Sequence, residues 1–230
     1  MAQLENEEFD TARRWWRKNG TAAIVGIVIG VVVLAGWYGW HWYQARQNNQ
    51  AADMYAQVSN GIGQGNVTGG MVNLVNTLQS DYAGTPYAGA AALALGGYYV
   101  DQGQLDKAAP RLDWAANNAQ DKGMRAIATV RDARIRWAQN KPDAALKLLD
   151  GDHPPAFDAL FAELAGDIHL AQGDRQAAHA AFRKALDRLP SDVPRQPLTE
   201  KLQSSAPAGA TSSDADSASD SASNNASDAS

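Results

Sequence analysis

Catalysis and metal binding need particular side chains at particular spacings, and this chain offers few of them. It has four histidines and no cysteine. His41 sits among aromatic residues, His153 precedes Pro154-Pro155, and His169 and His179 fall in segments of helical periodicity. None makes an HExxH spacing, so the ligand set of a zinc hydrolase is missing, and no thiolate can complete another. There is no GxSxG turn, no phosphate-binding loop and no dinucleotide fingerprint. Gly61-Ile62-Gly63-Gln64-Gly65 has glycines but neither a preceding strand nor the lysine of a phosphate loop, and reads as a turn. The carboxylate pairs Glu7-Glu8 and Asp214-x-Asp216 lie in polar stretches where nothing would perturb them. No catalytic residue, metal or cofactor is expected. The functional residues must be sought among those that hold a partner.

One element decides where such residues would work. Thr21–Trp40 is a run of 20 residues without a charge. At about 1.5 Å per residue a helix of that length spans about 30 Å, the thickness of the hydrocarbon core of a bilayer. Arg13, Arg14, Arg17 and Lys18 precede it, and in the twenty residues after it only Arg46 is basic. That bias places the N-terminus in the cytoplasm and residues 44–230 across the membrane. Trp15 and Trp16 lie at one end and Trp37, Tyr38, Trp40, Trp42 and Tyr43 at the other, as rings do at headgroup level. A cleaved leader fits less well, because the run is long and no small-x-small site follows it. The expected division is a cytoplasmic segment 1–20, a transmembrane helix 21–43, a folded domain 44–190 and a tail 191–230.

Charge narrows the partners. The formal net charge is −5, and residues 191–230 hold six acids against two bases, so the folded part is nearly neutral. No basic stripe argues for nucleic acid. After Leu202 the chain has no Leu, Ile, Val or aromatic residue and cannot bury enough apolar surface to offset ordering entropy, so the Ser/Ala/Asp-rich tail is expected to be disordered.

Between anchor and tail the periodicity is helical throughout. Ala51, Met54, Tyr55 and Val58 form one stripe, and Met71, Leu74, Val75, Leu78 and Tyr82 the next, with a Gly- and Asn-rich loop expected over 60–70. Helices are predicted over 87–101, 106–119, 122–139, 143–150, 157–172 and 174–188. Asp174 is a plausible N-cap, and Pro110 suggests that its helix starts later, since proline suits a first turn. No strand alternation appears outside the anchor, so the fold class is all-α.

These helices repeat. Ala108, Ala145 and Ala178 lie 37 and 33 residues apart, and Gly96, Ala133 and Gly166 mark the preceding helix of each pair. This spacing resembles the tetratricopeptide repeat, in which antiparallel helix pairs stack into an α-solenoid and small residues occupy the crossings. Gly96 and Gly166 would let the first helix approach its partner with the alanines facing them, and Leu112, Leu149 and Phe182 would fill the space between repeats. The middle unit is degenerate, with Asp132 and Arg136 where Leu and Tyr are usual. In such repeats the first helix of each pair lines a groove. Carrying over those positions gives Ala90, Leu93, Gly97 and Val100, then Ile127, Val130, Arg134 and Trp137, then Leu160, Glu163, Asp167 and Leu170. This largely apolar face is expected to take apolar segments of another polypeptide; the alternative is that neighbouring helices bury some of it. In the anchor, Gly26 and Gly30 have the small-xxx-small spacing that permits close contact with another membrane helix.

The order of parts carries a resemblance. An acidic start (Glu5, Glu7, Glu8) leads to Arg13-Arg14-Trp15-Trp16-Arg17-Lys18-Asn19-Gly20, then the apolar run, Gly36-Trp37-Tyr38-Gly39-Trp40, and repeats ending in GDRQAAHAAFRKAL. Over residues 5–190 this resembles the YfgM family, the ancillary subunit of the SecYEG translocon in Gram-negative bacteria. The resemblance implies a single-span inner-membrane protein with a periplasmic repeat domain. It also implies association with the translocon and with the membrane-anchored periplasmic chaperone PpiD, and help in passing emerging secretory polypeptides to chaperones. It brings no catalytic residues and does not extend to the tail. The competing expectation is a membrane-tethered scaffold for cell-envelope or division machinery.

Overall fold

The computed structural model describes residues 2–206, with side chains from Val28 onward and at Trp16, Thr21 and Ile24–Gly26. Nine α-helices and a short 3-10 turn make up the described residues. They are α1 (Ala2–Gly63), α2 (Gly69–Asp81), α3 (Pro86–Asp101), α4 (Leu105–Asn118), α5 (Lys122–Ala138), α6 (Pro142–Leu149), the turn Pro155–Phe157, α7 (Asp158–Ala171), α8 (Arg175–Arg188) and α9 (Gln196–Ser204). The class is all-α. Two compact units are present, one ending at Gln50 and one beginning at Ala51.

The first unit is the apolar helix. Its described apolar side chains are bare: Ile24, Val28, Val32 and Leu34 are 54–65% exposed. Among the described residues one helical stretch, within Ile24–Gly63, is long and apolar enough to cross a membrane, and none of its apolar window is buried. The rings that follow are exposed as well and organise one another. Trp37 stacks on His41 with centroids 4.6 Å apart, Arg46 lies 5.5 Å from the centre of the Trp42 ring, and the Tyr43 hydroxyl accepts from Gln47 Nε2 at 2.7 Å.

The second unit is a stack of helix pairs in which α3 packs on α4, α5 on α6 and α7 on α8, while α4 also packs on α5 and α8 on α9. Before them, Ala51 and Val58 of α1 share a core with Val75 and Leu78 of α2 and Ala88, Ala91 and Leu95 of α3. The expected loop over 60–70 is shorter than the glycines suggested. Residues 60–63 are helical, because Gly61 serves a close approach: a Cβ there would meet Met71 Sδ at 2.3 Å.

The turns show the repeat as clearly as the core does. Gly103, Asn140 and Gly173 all have positive φ, at 69°, 60° and 82°. Each donates its N–H three residues back, to Val100, Trp137 and Leu170, and the next N–H reaches back five, to Tyr99, Arg136 and His169. This paired closure satisfies the orphan carbonyls at a helix end and requires a left-handed residue, usually glycine. The three positions are separated by the same 37 and 33 residues as Ala108, Ala145 and Ala178. The Asp174 carboxylate caps α8 by accepting from Ala177 N–H at 2.9 Å.

Within each pair the small residues lie where the helices touch, with one correction to the expected pairing. The atoms nearest to Gly96 and Gly166 belong to Leu112 and Phe182, not to the alanines. A Cβ on Gly96 would meet Leu112 Cδ2 at 2.8 Å, and one on Gly166 would meet Phe182 Cε1 at 2.5 Å. Leu112 and Phe182 therefore pack inside their pairs, and Ala108, Ala145 and Ala178, all fully buried, complete the crossings. A second correction concerns α4, which begins at Leu105 and holds Pro110 in its second turn. Proline there removes the hydrogen bond to the carbonyl of Asp106. Both residues are exposed, so water can serve that carbonyl.

The degenerate middle repeat keeps a charge where its neighbours have apolar groups. Asp132 is 1% exposed and accepts two hydrogen bonds from Arg136, at 3.2 and 3.3 Å. Burial raises its pKa above the ordinary carboxylate value, and the Arg136 hydrogen bond only partly opposes this. A raised pKa in the folded state means that ionised Asp132 costs stability at neutral pH, a cost relieved as pH falls through that value. Replacing Asp132 by Leu together with Arg136 by Tyr is therefore expected to raise the unfolding free energy by about 1–3 kcal/mol, whereas Arg136→Ala alone lowers it by leaving a buried carboxylate unpaired. Gly166→Ala is expected to lower it by about 1–3 kcal/mol through overpacking against Phe182, although alanine is the better helix former. Thermal and urea unfolding of the purified protein check both, and a stabilised Gly166→Ala variant would contradict the packing described.

Candidate partner-binding face

The carried-over groove positions, Val130 apart, separate into three groups. Gly97 and Val100 at the C-terminal half of α3, and Ile127 and Arg134 on α5, reach the surface; Val100 and Ile127 are 39% and 36% exposed. Ala90, Leu93, Trp137 and Leu160 are half-buried, Leu93 against Ala108, Leu112 and Ile135, and Trp137 and Leu160 against the core of the α5, α6 and α7 helices. Val130 does not belong to the face. It is 2% exposed and packs with Ala126, Ala133, Leu149 and Phe161, because its helical spacing from Ala126 and Ala133 turns it toward α6 and α7.

The third group, on α7, is already engaged by the chain itself. Glu163 and Asp167 both accept from the Lys201 ammonium, at 2.8 and 2.9 Å, and Leu170 packs against a cluster of Ala162, Phe182 and Leu198. Lys201 and Leu198 belong to α9, in the segment expected to lie outside the fold. This corrects the tail's boundary: the chain remains structured through Gln196–Ser204, and the expectation for 207–230 lies outside the described residues. The cause is local. Leu198 and Leu202, four apart, supply one apolar stripe, Pro197 starts the helix, and Arg195 and Arg175 donate to the carbonyls of Leu186 and Ser204. α9 thus covers the open end of the last pair, as a capping element must in a repeat stack.

One part of the face is open. Between α3 and α5 lies a cleft of about 460 Å³. Gly97, Val100 and Asp101 line one side, Arg131, Arg134 and Ile135 the other, and Leu105 contributes from the start of α4. Arg131 escaped the sequence reading because it lies outside the carried-over pattern. Its spacing of three from Arg134 was the available signal, since such residues are neighbours on a helix. Among the described residues no group of three or more His, Asp or Glu side chains could hold a metal. His153 is tied down: its ring stacks on Phe161 at 3.8 Å, with Nδ1 2.8 Å from the Gly151 carbonyl and Nε2 3.2 Å from Asp158.

A stack of antiparallel helix pairs is the class this architecture defines. Residues 13–206 match the tetratricopeptide repeat-like domain family, and the chain belongs to it. Three similar proteins each bear the name ancillary SecYEG translocon subunit. The one from Escherichia coli (strain K12) is 29% identical over 178 residues, 77% of this chain and 85% of that protein. The one from Haemophilus influenzae is 29% identical over 181 residues, 79% and 88% of the two chains. The one from Neisseria gonorrhoeae is 29% identical over 205 residues, 87% and 96%. No solved structure matches significantly. Family and relatives alike denote a non-enzymatic protein.

The α9 cap makes a pH-dependent prediction. Burial disfavours the charged Lys201 amine, but the hydrogen bonds to Glu163 and Asp167 outweigh it and hold its pKa above the ordinary lysine value. The stabilisation is complete below that ordinary value and is lost as pH rises through the raised one. Lys201→Met is expected to accelerate amide exchange over residues 198–205 by about tenfold or more while α7 and α8 keep their protection. Unchanged exchange would mean that Leu198 alone holds the helix.

Proposed function

We propose that this chain is a membrane-tethered ancillary subunit of a SecYEG-type translocon. The observation that carries the reading is the likeness to proteins of that name, which extends over 77–87% of this chain, beside a family match over residues 13–206 that takes in apolar helix and repeats together. In this reading the protein lies in the bacterial inner membrane, with its N-terminus in the cytoplasm and the repeat domain, from residue 44 through α9, in the periplasm. The excess of Arg and Lys before the apolar run supports that orientation. Gly26 and Gly30 offer a contact point for another membrane helix, since a Cβ on either would meet nothing within 4 Å. The exposed groove positions Val100, Ile127 and Arg134, with the half-buried Gly97 beside them, engage partners such as the membrane-anchored chaperone PpiD, or emerging secretory polypeptides passed toward periplasmic chaperones. The half-buried Ala90, Leu93, Trp137 and Leu160 form the floor beneath them.

Photo-crosslinking in intact membranes with probes at Ile29 and Ile127 tests this. Translocon subunits are expected at Ile29, and a periplasmic chaperone or nascent secretory chains at Ile127. Cell-wall or division proteins at both positions, with no translocon subunit, would replace the reading by an envelope scaffold.

A further inference from the structure

The glycines of the repeat domain are not equivalent. Gly89, Gly96 and Gly166 each face a neighbour that a Cβ would strike below 3 Å, so the fold needs them. Gly97, also inside a helix, faces none. A Cβ there would meet only Arg131 Nη1, at an ordinary 3.7 Å. A helix-interior glycine weakens its helix relative to alanine and is kept where another backbone must come close. Nothing within this domain comes that close to Gly97. It borders the open cleft between α3 and α5.

The charges around that cleft are also without internal purpose. Arg131 and Arg134 are exposed, and among the described residues neither guanidinium has a hydrogen bond or an ion pair, in contrast to Arg111, Arg125, Arg136, Arg175 and Arg195. Between them and Val100 the lining is aliphatic, through Ile135 and Leu105. Asp101 stands on the α3 side and pairs with neither arginine. The cleft is therefore polarised, basic toward α5 and acidic toward α3, over an apolar floor.

We infer that this cleft binds an acidic-apolar segment of a partner protein. The segment's backbone lies against Gly97, an Asp or Glu is held by Arg131 and Arg134, and an adjacent aliphatic or aromatic side chain covers Val100, Ile135 and Leu105. Guanidinium groups suit this role because they bind carboxylates in a bidentate manner and are weakly hydrated beside apolar surface. Asp101 sets the direction by repelling a segment that carries its acid on the α3 side. The inference rests on the proposed function in taking this face as the partner-binding one, and adds the chemistry of the occupant.

The test uses the full chain in its native membrane, with a photo-crosslinker at Val100 and mass-spectrometric reading of the captured segments. They are expected to carry Asp or Glu beside apolar residues. The yield is expected to fall by about tenfold or more in Arg131→Gln/Arg134→Gln, with the melting temperature unchanged. Gly97→Ala is expected to raise the melting temperature yet lower the yield several-fold, a combination that a merely structural glycine would not give. No crosslink at Val100, segments without acids, or a yield indifferent to the arginines would overturn the inference. Recovery of translocon subunits is measured in the same preparations. Acidic segments captured without translocon subunits would uphold the cleft and remove the proposed function, and translocon recovery with an arginine-indifferent yield would do the reverse.

Discussion

The structure depends on how closely two helices can approach within a pair. At Gly96 against Leu112 and Gly166 against Phe182 there is no room for even one methyl group, and Ala133 takes the same place in the middle pair. Close approach of this kind brings large side chains into dense contact, and cores so packed do not tolerate added volume. From this spacing the rest follows. The left-handed residues Gly103, Asn140 and Gly173 close each pair over the same register, so one first helix after another falls on the same side of the stack. That common side is the face proposed to hold a partner, and α9 finishes its last position with Lys201 set between Glu163 and Asp167.

Much of this was legible in the residues. The six helices from α3 to α8 begin and end within a residue or two of the periodic segments, because a 3.6-residue apolar stripe bounded by Gly, Pro or Asp is the strongest local signal a sequence offers. The capping role of Asp174 was visible for the same reason. What escaped depended on tertiary context. α9 shares its segment with a polar tail and owes its place to Leu198 and to the half-buried ion pairs of Lys201 with Glu163 and Asp167, which a composition argument averages away. Pro110 is accepted in a second turn because it faces water. Val130 looks like a groove position by carry-over and is core because the middle repeat turns its apolar stripe toward α7.

The partner face shows how little of a functional surface periodicity alone specifies. Pattern places Gly97, Val100 and Arg134 correctly at the surface, yet the cleft acquires its chemistry from Arg131 and Asp101, which no repeat pattern marks. Equally, Glu163 and Asp167 read as free groove charges until α9 is seen to occupy them. The middle repeat carries its own compromise, a buried Asp132 held by the half-exposed Arg136, and the desolvation of that carboxylate works against stability.

The most direct measurement is quantitative co-purification of the full chain from native membranes in mild detergent, with the recovered proteins counted by mass spectrometry. Translocon subunits recovered in near-stoichiometric amount, and retained when the bait is washed in moderate salt, are the predicted result. Recovery of envelope or division proteins with translocon subunits at background would contradict the account.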